Sequence, residues 1–189
     1  MVLAFLISTM QQESATPIYS ATFDRDPDIA TREERKDLYQ RLSQKVASEY
    51  DAVKRYTNRS DAGDFERLRN DNILPEFSRG VVYLDSSEYL MEDKILLWFA
   101  ALDCGFVMVL HRTESVQTAV LNMKILIQNL QQYTRILTDP VAALLKMERT
   151  ETVVHHLIPN GVLQLQASAL LKETLKELDR KLQRLIKER

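Results

Sequence analysis

Glycine is scarce in this chain, at 4 residues in 189. Phosphate-cradling loops depend on glycine because the backbone must come close to the ligand, so nucleotide-binding loops are disfavoured. Accordingly the sequence contains no G-x-G-x-x-G, Walker or G-x-S-x-G pattern. A single cysteine, Cys104, leaves no intramolecular disulfide to form, and a reducing compartment is the default expectation. Neither sign of charge dominates, with 25 basic and 27 acidic residues and a net charge of -2. A nucleic-acid binder would carry a marked basic excess. Long apolar runs are also missing, and none approaches the roughly 18 to 20 residues that span a bilayer. The opening segment, Met1 to Met10, is apolar but short. Its first basic neighbour is Arg25, so it reads as a buried strand rather than a signal peptide.

What is present is a hydrophobic content of 45%, enough for a real core. Val2 to Ser8 is continuously apolar, as expected of a strand buried on both faces. Ile18, Ser20 and Thr22 alternate with Tyr19, Ala21 and Phe23, which predicts a second, antiparallel strand. Thr31-Arg32-Glu33-Glu34 fits a capping box. Beyond it Leu38, Leu42, Val46, Tyr50 and Val53 lie on one helical face, with an end expected near Tyr56 or Thr57. The segment 58–79 is polar and charged, and reads as a long exposed loop. Val81 to Leu84 then predicts a short strand. Ile95 to Leu102 and Phe106 to His111 predict a central hairpin, with its turn at Asp103-Cys104-Gly105.

Ser115 to Leu137 reads as a strong helix with a wide apolar stripe, and Thr138-Asp139-Pro140 as its stop and as the cap of a further short helix, since Pro suits a first helical position. Another helix is expected over Glu148 to Ile158, closed by Pro159-Asn160-Gly161. Finally Leu171, Leu175, Leu178, Leu182 and Leu185 form a heptad seam, with Glu177 and Lys181 one turn apart. Each leucine gains about 1.5–3 kcal/mol on full burial. The seam therefore either folds back on its own domain or packs on another chain, and heptad spacing alone leaves both open. The expected fold is α/β (α+β), a five-stranded antiparallel sheet flanked by helices. The main domain spans 1–161 with its exposed loop at 58–79. A C-terminal tail and helix, 162–189, packs on that domain or on a partner.

Catalytic chemistry is hard to find. A helical metal site wants ligands three or four residues apart, but His155 and His156 are adjacent and point in different directions. A carboxylate beside a thiol raises its pKa, so Asp103 next to Cys104 is wrong for a nucleophile. Arg32, Arg35, Lys36 and Arg41 are interrupted by Glu33, Glu34 and Asp37. That pattern fits a solvated helix face better than an anionic-lipid patch. The chain reads as a non-enzyme without cofactors or metals.

Several stretches carry a resemblance: Met1-Val2-Leu3-Ala4-Phe5-Leu6-Ile7, Ile18-Tyr19-Ser20, and Gly105-Phe106-Val107-Met108-Val109-Leu110. To these add Leu144-Leu145-Lys146-Met147-Glu148-Arg149 and Leu157-Ile158-Pro159-Asn160-Gly161-Val162-Leu163. Together, in this order and spacing, they resemble the small sigma subunits of adaptor protein complexes, which have a longin-like fold. Within that family the chain is most similar to the sigma subunit of the fifth adaptor complex. The resemblance implies a small scaffold subunit of a heterotetrameric adaptor, cytoplasmic and peripheral on late endosome and lysosome membranes. Its role would be vesicle-mediated protein sorting, including retrieval from late endosomes towards the Golgi. The implied partners are a large zeta-type subunit, beta and mu subunits, and, through the complex, spatacsin and spastizin. The alternative is a longin-type regulatory or tethering subunit of another trafficking complex.

Sigma subunits also bind acidic dileucine signals, and the resemblance places Ala101, Ile127 and Leu137 near that pocket. The heptad seam and the apolar stripe of the 115–137 helix make Leu130, Leu171, Leu175, Leu178 and Leu182 candidates for the partner interface. The chain departs from the pattern in two places. Thr16-Pro17-Ile18-Tyr19 stands where a basic residue is usual on the second strand. Leu97-Trp98-Phe99-Ala100 stands in place of a Tyr-Arg-Arg-Tyr segment. Both changes remove charges that would assist recognition of an acidic peptide.

Overall fold

The computed structural model describes residues 1–11, 14–24, 31–57, 62–71, 73–86, 92–140, 145–164 and 168–187. Five strands form one antiparallel sheet: β1 (Val2–Thr9), β2 (Pro17–Thr22), β3 (Ser78–Leu84), β4 (Lys94–Ala101) and β5 (Cys104–His111). Their order across the sheet is β2-β1-β5-β4-β3, so β2 and β3 are the edges. All eight residues of β4 are buried, as are seven of the eight in β5. This explains their unbroken apolar runs, since a strand covered on both faces has no reason to alternate.

One face is covered by α1 (Arg32–Thr57), through Leu38, Leu42, Val46 and Tyr50 against Leu6, Leu96, Trp98 and Val107. The capping box at its start is formed. The Thr31 backbone N–H donates to Glu34 Oε2 at 3.0 Å, and the Glu34 N–H donates to Thr31 Oγ1 at 3.1 Å. The Thr31 backbone N–H, with the Thr31 hydroxyl second, holds the Glu34 carboxyl below its ordinary value. A buried hydroxyl pair, Ser8 and Ser43 at 2.7 Å, ties α1 to the middle of the sheet. Such a pair fixes register, because Ser43 also donates to the Tyr39 carbonyl at 2.8 Å and a slip would leave the Ser8 hydroxyl without this partner in an apolar layer.

The opposite face carries α3 (Val116–Thr134), α4 (Met147–Leu157) and α5 (Ser168–Lys187). Leu126, Ile127 and Leu130, Val153, Val154 and Leu157, and Leu178 and Leu182 join Phe5, Ile7, Phe99 and Phe106 in one cluster. Between α4 and α5 the chain turns at Asn160 and Gly161, both with positive φ (50° and 78°). A Cβ on Gly161 would meet the Val2 carbonyl oxygen at 2.4 Å. This position therefore admits only glycine.

Four details differ from the sequence reading. The segment 58–79 is not all loop, because Ala62–Asp71 forms α2 and its Leu68 is 1% exposed in the core. Phe65 and Leu68 are the only large apolar residues in this helix, too few to show a helical period. The β4–β5 turn lies at Leu102 and Asp103, with φ of 52° and 60°. Ala101 pairs with Cys104, so Cys104 and Gly105 are strand residues, one step beyond the expected turn. The strand expected at Val81 begins earlier, at Ser78. Lastly α3 ends at Thr134, where Arg135 adopts a left-handed conformation and donates to the Gln131 carbonyl. The Gln131 side chain accepts from the Leu137 N–H at 3.0 Å, which turns the chain before Pro140 is reached.

Candidate functional site

The reactive residue types are occupied structurally. Cys104 is fully buried, and burial, with Asp103 second, pushes its thiol well above the usual range. A thiol held protonated in the core is a poor nucleophile. His155 packs edge-on against Phe23 at 5.6 Å. The His156 Nε2 lies 2.9 Å from the Thr174 carbonyl oxygen, fixing α4 to α5. Glu177 and Lys181, expected as a pair, both reach towards His156, at 4.0 and 3.5 Å. Among the described residues no group of three or more His, Cys, Asp or Glu side chains converges as a metal site. No described helix is long and apolar enough to cross a membrane.

Of the two destinations open to the leucine seam, the first is taken by its centre. Leu178 and Leu182 are fully buried against the chain's own core, and Leu175 and Leu185 are half-buried beside it. Leu171 is half-buried as well. Leu130 on α3 is also 0% exposed. Leu130, Leu178 and Leu182, expected at a partner interface, pack inside this chain's own core. The α5 register is further set by the Tyr133 hydroxyl, which donates to Asp179 Oδ1 at 3.0 Å.

The three residues expected around a peptide pocket separate. Ala101 and Leu137 are core residues, 4% and 1% exposed. Ile127 is buried too, at 1% exposed, but also lines the floor of a groove of about 490 Å³ between the approach to β3 and the flank of α3. Leu74, Phe77, Phe99 and Ile127 give the groove its apolar lining. Phe77 is anchored there by tilted and edge contacts to Phe99 and Phe106, at 6.1 and 6.3 Å. Arg79, Lys124 and Glu76 supply its charges. None of the groove residues on the 74–79 approach was singled out from sequence, because the segment looked like a polar loop.

Beyond Arg79 the strand leaves the groove and runs on to Leu84. Arg79, Val81 and Tyr83 alternate outward on the α3 side of the strand, and Tyr83 is 69% exposed. Leu121, on the solvent side of α3, is 46% exposed. The chain thus presents an apolar and cationic surface at one edge of the sheet. The sheet order and its two helical layers are those of a small longin-like chain.

The family comparison gives this class a specific form. The model of the AP-5 complex subunit sigma-1 family matches residues 1–179. The chain belongs to that family, and is thus a small adaptor subunit of protein trafficking. No curated protein matched.

Proposed function

We propose that this chain is the sigma subunit of a heterotetrameric adaptor that sorts cargo at late endosomes and lysosomes, including retrieval towards the Golgi. The carrying observation is the family match over residues 1–179. The exposed apolar strip at β3 gives that reading a physical basis. In this role the chain binds a large zeta-type subunit, joins beta and mu subunits, and meets spatacsin and spastizin through the complex. It reaches the membrane peripherally, as part of the assembly. The domain over 1–161 forms the scaffold, and 162–189 strengthens it by laying α5 across α4. Acidic dileucine signals lack their charged partners in this member, because Thr16-Pro17-Ile18-Tyr19 and Leu97-Trp98-Phe99-Ala100 replace the basic positions, and Ala101, Ile127 and Leu137 are at most 4% exposed.

Co-expression with a zeta-type large-subunit trunk, followed by size-exclusion chromatography with light scattering, tests this reading. Co-elution at equal stoichiometry is expected. A well-folded monomer that ignores the trunk would overturn it.

A further inference from the structure

Sheet edges invite another strand, and proteins normally blunt them with proline, bulges or inward charges. The β2 edge is blunted in this way. It starts at Pro17, and its pairing with β1 slips between Ile7 and Ser8. The Thr22 hydroxyl is tied to the Tyr39 hydroxyl of α1 at 2.6 Å. Among the described residues the β3 edge shows none of these devices. Its seven residues contain no proline, and they pair with β4 in unbroken register from Ser78↔Ala100 to Leu84↔Lys94. Val81 and Tyr83 stand 38% and 69% exposed on it.

Charge indicates what fits there. Arg79 on β3 and Lys124 on α3 border the groove, and among the described residues neither forms an ion pair. Strand 78–84 itself carries no acidic residue. Glu76, also at the groove, has an interaction of its own. We propose that β3 is completed by an extended acidic strand of the large partner subunit. Main-chain hydrogen bonds would go to the outer edge of β3, apolar side chains over Val81 and Tyr83, and a carboxylate to Arg79 and Lys124. In strand addition the main chain provides affinity and alternate side chains provide specificity. A second copy of this chain fits less well, because its own β3 brings another Arg79 and no carboxylate. The inference rests on the adaptor reading and deepens it by naming the surface and the chemistry of the docking segment.

The test uses the two-chain complex with p-benzoylphenylalanine in place of Tyr83. Irradiation and mass spectrometry identify what covers the strand. The expected product is a crosslink to an Asp- or Glu-containing segment of the large subunit. Arg79→Glu combined with Lys124→Glu should weaken the complex at least about tenfold, with an unchanged circular dichroism spectrum. Reversing the charge of the crosslinked acid should restore binding. A crosslink between two copies, or an intact complex with an unreacted probe, would overturn the strand addition while leaving the adaptor reading in place. An unchanged affinity for the double variant would overturn it as well. If no complex forms at all, both readings fall.

Discussion

β2 and β3 occupy equivalent places at opposite edges of one sheet, yet the chain treats them differently. At β2, Pro17, a bulge and a hydroxyl tie to α1 complete the edge from within. At β3 a regular seven-residue strand ends the sheet with an aromatic and a valine in solvent. An exposed strand of this kind is an aggregation hazard for a free monomer, and its persistence is understandable when a partner covers it. The contrast separates stability from function. The buried layers and the β2 edge hold the fold, while the β3 strip is left for assembly.

Substitutions should sort along that division. Leu130→Asp places a charge where no solvent reaches. It should cost several kcal/mol, about as much as single substitutions ever do, and appear as loss of the cooperative thermal transition. Gly80→Val is next. A Cβ there would lie 2.6 Å from the Trp98 ring, which is itself packed on Tyr50. Overpacking of this sort costs about 1–3 kcal/mol in urea titration. Thr31→Ala removes the hydroxyl that accepts from Glu34 and should cost about 1 kcal/mol.

A smaller effect is expected in alkali. Burial first, then the Asp179 carboxylate, pushes the Tyr133 phenol up to about 12. The folded state therefore holds this proton between the ordinary value near 10 and about 12, where the unfolded chain has lost it. Its contribution is complete below the ordinary value and declines as pH rises through that window. Tyr133→Phe should remove this part of the alkaline decline in melting temperature. Smallest of all for stability is Tyr83→Lys, expected within about 0.5 kcal/mol of the parent but damaging to partner binding. A large loss of stability from Tyr83→Lys would break the division between fold and assembly.

How far the sequence revealed this arrangement depended on burial. β4 and β5 were legible because continuous burial leaves continuous apolar runs. α1 was legible because its capping box and its stripe agree. α2 was not, since Leu68 alone of its two large apolar residues is buried, while Phe65 is exposed and the rest of the helix is mostly polar. The β4–β5 turn was misplaced by one residue. Leu102 and Asp103 take positive φ without the Asn-Gly or Asp-Gly sequence that normally marks such a turn. The docking surface was least visible. Arg79 and Lys124 lie 45 positions apart in sequence, and only the stacking of α3 over the sheet brings them to one groove. The leucine seam showed its helix clearly, but periodicity carries no information about which surface an apolar face will meet.

Amide hydrogen exchange on the free chain and on its complex with the large subunit tests the central contrast most directly, since exchange reports local opening segment by segment. On assembly, segment 78–84 should gain protection while 17–22 remains unchanged. Protection gained at 17–22 with 78–84 unaffected would contradict the account.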